Sequence, residues 1–200
     1  MILNGAFEPQ ALSQLWDRKW PECPPFAHWL PGRYPDHWVR FRSLPESKRY
    51  PDSAAEYAIV LDRHYTVLSE LNPGSHLLII TAEWTDTPQT TPQRWPRRSE
   101  VTPTSRHWQT LIEEPDEEPD FRSHTQLYAE ARPWQPDTID TLLRAVADDE
   151  INGVLLGPPD LGWLYHPYDG GADVIVSTRA ERDELKARHP TWLSDHPAGL

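Results

Sequence analysis

Apolar residues recur at the three- to four-residue spacing of a helix in several segments of the chain. One of these segments opens with a capping box, in which Glu56 follows Ser53 by three residues. The same pattern at Thr178 and Glu181 predicts a further helix near the end of the sequence. The four predicted helices span residues 8–20, 53–71, 137–149 and 178–188.

Shorter apolar runs predict strands, which fall at residues 38–44, 76–84, 126–132, 153–156, 163–166 and 173–177. Residues 85–125 are instead polar and proline-rich and include the acidic run EEPDEEPD, so we expect a surface excursion there. No repeat or shift of composition divides the chain. The order of elements predicts a single α+β domain over residues 1–200, with a mixed or mainly antiparallel sheet packed against about three to four helices.

The composition indicates in which cellular compartment the protein is expected. With one cysteine, Cys23, the chain cannot form an intramolecular disulfide. The longest clean apolar run, Leu77 to Ile80, is far shorter than the roughly 20 residues that span a bilayer, and the first residues lack the pattern of a signal peptide. We therefore expect a cytoplasmic protein that does not enter membranes. No phosphate-loop, zinc-protease or C-x-x-C motif occurs, so no cofactor or metal is predicted.

The charge balance restricts the partners. There are 31 acidic and 19 basic residues, which gives a formal net charge of -12. This field repels phosphate backbones, so nucleic acid is not an expected partner, whereas a basic protein is. A surplus of acids that only keeps the protein soluble is the simpler alternative.

Against this background, the segment 37–50 gathers positive charge. Arg40 and Arg42 alternate with apolar residues on the first predicted strand and would share one face about 7 Å apart. Ser47, Lys48 and Arg49 follow in a turn. Together these five residues predict a site for a phosphate or carboxylate group. Pairing of the cations with the many carboxylates of the chain is the alternative.

A second group of residues could transfer protons. His166, Asp169 and Asp173 lie close together in the sequence beside the pair Gly170-Gly171. The simpler interpretation of this run is a tight hairpin, with the glycines at positive φ. His64 is a further candidate for proton transfer, although its place on the apolar stripe of a helix is typical of a core histidine.

The candidate residues lie within three blocks, which read HWVRFRSLPESKRYP at 37–51, LDRHYTVLSEL at 61–71, and LYHPYDGGADV with the following TRAERDELKARHPTWLSDHP at 164–197. In these blocks the chain resembles a family of uncharacterised bacterial proteins that share a domain of unknown function. The resemblance runs from about Phe26 to the C-terminus and implies one coherent domain. It supplies no catalytic residue.

Two hypotheses for the function follow. The first is a small acidic binding protein, similar to an immunity protein or antitoxin, that recognises a basic partner. The second is an enzyme or sensor that acts on a small anionic ligand held by the arginine and lysine cluster. The second requires that the blocks 37–50 and 165–173 meet around one concave pocket.

Overall fold

The structure is a computed structural model and describes residues 8–85, 96–112, 123–135 and 137–194. The described residues form six α-helices: α1 Pro9–Lys19, α2 Leu30–Arg33, α3 Ala54–Leu71, α4 Pro96–Val101, α5 Asp140–Ala147 and α6 Arg179–Arg188. They also form seven strands: β1 Trp38–Arg42, β2 His76–Thr85, β3 Arg106–Ile112, β4 His124–Pro133, β5 Val154–Gly157, β6 Leu164–Tyr168 and β7 Gly171–Ile175. None of these helices has the length and hydrophobicity needed to cross a bilayer.

The seven strands form one sheet in the order β1-β7-β6-β5-β2-β4-β3, and each neighbouring pair is antiparallel. The predicted α+β class with a single sheet is therefore confirmed. The longest strands, β2 and β4, pair over ten residues next to the edge strand β3.

Helices cover both faces of the sheet. Helices α3, α5 and α6 pack on one face, here called the α3 face, and α1, α2 and the proline-rich segment between them pack on the other, the α1 face. Strand β2 serves both cores, because Leu77 and Ile79 point to the α3 face while Leu78 and Ile80 point to the α1 face. A strand buried on both sides needs no polar alternation, which explains the continuous apolar run in the sequence.

The region 85–125, where the sequence predicts a surface excursion, contains regular structure. Residues 96–112 form α4 and β3, and β3 pairs with β4 at the edge of the sheet. Val101 and Trp108 are buried there, which anchors this segment to the protein body. Its prolines and charges hide the apolar period of these short elements. The acidic run 113–120 lies outside the described residues.

Strands β6 and β7 form a hairpin in which only Asp169 and Gly170 connect the strands. The expectation of positive φ at the two glycines is wrong, since neither Gly170 nor Gly171 adopts a left-handed φ. Gly171 is required for a different reason: a Cβ atom there would overlap the carbonyl oxygen of Phe41 in β1. A Cβ atom on Gly170 would only make an ordinary contact, 3.5 Å from Cγ of Arg49.

These two adjacent glycines give a matched pair of substitutions. Gly171→Ala should lower the free energy of unfolding by at least about 2 kcal/mol, because β1 must move away from β7 to accommodate the methyl group. Gly170→Ala should change it by less than about 1 kcal/mol. Urea unfolding followed by circular dichroism measures both values. Equal losses in the two variants would contradict the close approach of β1 to β7.

Candidate functional site

Arg40 is held by a buried carboxylate. The register of β1 and β7 places Arg40 directly opposite Asp173, which is 3% exposed. Arg40 donates from Nε to Oδ1 of Asp173 at 2.7 Å and from Nη2 to Oδ2 at 3.0 Å, and the Trp38 indole donates to Oδ1 at 2.8 Å. The hydrogen bond to Asp173 is the main cause that raises the pKa of Arg40. Both residues of this pair are therefore engaged with each other.

Two further cations of the predicted cluster also have partners. The Lys48 Nζ lies 2.6 Å from Oε1 of Glu56 and 2.8 Å from Oδ2 of Asp52, and these hydrogen bonds raise the pKa of Lys48. Arg42 donates to the hydroxyl of Ser47 and, at 3.0 Å, to the hydroxyl of Ser194. The alternative interpretation from the sequence, in which the cations pair with carboxylates, thus describes Arg40 and Lys48, and Arg49 also has a carboxylate partner.

Arg49 differs from the other cations because most of its side chain, 63%, is exposed. Its Nε donates to Oδ2 of Asp169, a buried residue in the β6–β7 turn. Neither terminal nitrogen of Arg49 has a hydrogen-bond partner among the described residues. The guanidinium carbon lies 5.4 Å from the ring centre of Tyr50. Asp169 therefore fixes one edge of the guanidinium group and leaves the other edge available.

Arg49 and Asp169 border a cleft of about 460 Å³ at the end of the sheet. His166 and Tyr168 of β6 also line it, so the blocks 37–50 and 165–173 meet around one concave surface. The other lining residues come from four separate parts of the chain: Phe26, Ala27 and His28; Ala82 and Trp84; Thr125; and Asp149, Ile151, Asn152 and Gly153.

The cleft lies where two strands of unequal length meet. Strand β5 pairs with β2 only between Leu78 and Thr81, so β2 continues beyond its neighbour. The connection from α5 to β5 passes beside this extension, and Gly153, with a φ of +65°, allows its close approach to Ala82. Trp84, near the end of β2, is 56% exposed.

His166 is fixed in one orientation. Its Nδ1–H donates to the carbonyl oxygen of Val154 at 2.7 Å, and its ring centre lies 5.8 Å from that of Tyr168. Burial lowers the pKa of His166 and raises that of Tyr168. Both side chains are therefore neutral near pH 7, and His166 can act as a base or as a hydrogen-bond acceptor through Nε2.

His64 lies apart from the other candidates. It is buried in α3 on the α3 face, whereas His166 lines the cleft on the α1 face. The Nδ1 of His64 is 2.6 Å from the hydroxyl of Tyr165, and burial lowers its pKa to about 4. The sheet thus separates His64 from His166, Asp169 and Asp173.

Of the nine predicted site residues, the cleft brings together Arg49, His166 and Asp169. Arg42, Ser47 and Lys48 do not line it. The sequence analysis missed the aromatic and polar residues that complete it, such as Phe26, His28 and Trp84. No motif links these residues, because they come from distant parts of the chain. Within the described ranges, no group of three or more histidine, cysteine or acidic residues is arranged to hold a metal ion.

The buried His64 should make stability depend on pH. The unfolded chain binds a proton at this residue near pH 6.5, but the folded protein binds it only near pH 4, so acidification favours unfolding. This residue alone should lower the free energy of unfolding by about 2 kcal/mol between pH 7 and pH 5. Urea titrations at the two pH values measure the difference.

The His64→Gln variant should lose most of this pH dependence, whatever its stability at pH 7. His28→Gln, which replaces an exposed histidine, should retain it and serves as the control. If the His64→Gln variant keeps the pH dependence of the unsubstituted protein, burial of His64 is not its cause.

Comparisons with known proteins give one result. The family described as a domain of unknown function (DUF3885) matches residues 26–197, which includes every candidate residue discussed above. No curated protein and no solved structure matches the chain. Since the match covers most of its length, the chain belongs to the DUF3885 family.

Proposed function

We propose that this protein binds a small anionic ligand, a carboxylate or phosphate compound, in the cleft bordered by Arg49 and Asp169. The observation that carries the proposal is the position of Arg49 and the availability of its terminal nitrogens. This arginine faces a concave surface, one edge of its guanidinium group is anchored, and its two terminal nitrogens have no partner among the described residues.

An anchored arginine is suited to anion recognition. A guanidinium group offers parallel N–H donors that match the two oxygens of a carboxylate or phosphate. Because the buried Asp169 already orients Arg49, less side-chain entropy is lost when the anion binds. Of the four cations in the predicted cluster, Arg49 is the one that lines the cleft.

The rest of the cleft favours a ligand with an apolar or aromatic part. Its volume of about 460 Å³ falls within the usual range for small-molecule pockets. Phe26, Trp84 and Tyr168 provide aromatic surface, Thr125 and Asn152 provide polar atoms, and Asp149 adds a carboxylate from which the acidic group of the ligand must lie apart. Aromatic walls with a few polar groups are typical of sites that bind a compact organic molecule.

Benzoate and phenyl phosphate are suitable probes, with benzyl alcohol as the uncharged control. We expect both anions to bind with dissociation constants on the order of millimolar, since such small ligands have few atoms. In ¹H–¹⁵N spectra the indole signal of Trp84, assigned with a Trp84→Phe variant, should shift on titration with each anion and much less with benzyl alcohol.

Arg49→Gln should weaken binding of both anions at least about tenfold, because it removes a charge-assisted hydrogen bond. Arg179→Gln is the matched control, since Arg179 is exposed and lies outside the cleft. Binding that is equally strong in the Arg49→Gln and Arg179→Gln proteins would contradict the proposal.

A basic protein partner is the second candidate, and a different cleft favours it. This cleft, of about 440 Å³, is bordered by four carboxylates, Glu70, Asp160, Glu181 and Glu184, and by Arg188, which pairs with Glu70. Trp163 supplies apolar surface in it. With the net charge of -12, this arrangement is complementary to lysine or arginine side chains of a partner.

Purification from native extract at low salt tests the second candidate. A basic partner should be retained by the unsubstituted protein, released by salt, and lost in a Glu181→Gln/Glu184→Gln variant. An Asp17→Asn/Glu22→Gln variant makes the same change of charge elsewhere and should retain the partner. If both double variants behave alike, the acidic cleft is not the contact.

A further inference from the structure

We infer that the ligand of the cleft carries a hydrogen-bond donor, a hydroxyl or N–H group, which binds Nε2 of His166. The ligand class is then a small anion with both an acidic group for Arg49 and a donor group for His166. This inference rests on the proposed function and specifies the chemistry of the same site.

The tautomer of His166 follows from its partner. A backbone carbonyl oxygen can only accept a hydrogen bond, so Nδ1 of His166, 2.7 Å from the Val154 oxygen, must carry the proton. In the neutral ring Nε2 is then an acceptor without a proton. Val154 belongs to β5, and the pairing of β5 with β6 holds this contact in place.

The Nε2 atom is open to a ligand. His166 lines the cleft, and the described residues provide no hydrogen bond to Nε2. Some polar side-chain atoms in the described part of the chain are fully enclosed and have no hydrogen-bond partner there. The Nε2 atom of His166 also has no partner within these residues, but it is not fully enclosed. It therefore keeps accessible surface in the cleft, where a ligand can reach it.

Burial favours a neutral His166. Asp173, its register partner in β7, already accepts hydrogen bonds from Arg40 and Trp38. Burial is the main cause that lowers the pKa of His166, and it outweighs the hydrogen bond to Val154 and the charge of Asp173, which act in the opposite direction. His28 and Arg40 lower this pKa further. A ligand that covers Nε2 without offering a donor leaves a buried acceptor unsatisfied, which costs affinity.

The test compares benzoates that differ in one group. Hydroxybenzoates and aminobenzoates offer a donor, whereas the methoxybenzoates offer none at the same ring position. For at least one ring position, we expect the hydroxy or amino compound to bind about fivefold or more tightly than its methoxy counterpart. The ¹⁵N signal of His166 Nε2 should move on titration with that compound, in the direction of a hydrogen-bonded acceptor.

The sharpest variant is His166→Asn, because the asparagine amide can still donate to the Val154 oxygen while the Nε2 acceptor is lost. This variant should bind the hydroxy and methoxy compounds equally. His76→Asn, a change outside the cleft, should keep the preference. The ¹⁵N measurement uses the unsubstituted protein, so it remains decisive if His166→Asn does not fold.

The outcomes separate the two claims. If benzoates bind in an Arg49-dependent manner but without preference for a donor at any ring position, the inference about His166 is wrong and the proposed function stands. A preference that persists in His166→Asn also overturns the inference. If no benzoate binds, or binding does not depend on Arg49, the proposed function itself fails.

Discussion

The antiparallel pairing of β1 with β7 is the constraint on which the candidate site depends. Gly171 allows the backbone of β1 to approach closely, and two positions further along β7 Asp173 receives the Arg40 side chain from the opposite strand. A buried carboxylate without its cation would be costly, so this pair tolerates only one register. That register places the β6–β7 turn, with Asp169, beside the segment that follows β1 and carries Arg49.

The cations of segment 37–50 therefore lie in two kinds of environment that the sequence does not distinguish. Arg40 and Lys48 neutralise carboxylates and hold β1 and the start of α3 in place. Arg49 is also paired with an acid, but it is mostly exposed and borders the cleft. An ion pair can stabilise a fold or orient a residue for binding, and the position of the cation relative to a concave surface distinguishes the two cases.

One face of the sheet packs against an apolar core, and the opposite face carries the proposed site. On the α3 face, His64 and Tyr165 satisfy each other within an apolar core. On the α1 face, the neighbouring residue His166 uses one nitrogen for the backbone and keeps the other in the cleft. Since successive strand residues alternate between faces, Tyr165 and His166 belong to different environments although they are adjacent in the chain.

The sequence by itself determined what depends on local periodicity: the positions of α1, α3, α5 and α6, most of the strands and the α+β class. It could not reveal α4 and β3, whose short apolar pattern is interrupted by prolines and charges. Only the tertiary structure decided which cation meets which acid, because Arg40 and Asp173 are 133 residues apart and Arg49 and Asp169 are 120 apart. The cleft likewise depends on the tertiary structure. It is formed by the ends of strands, a loop and a proline-rich segment, and no local sequence pattern predicts that these parts lie together.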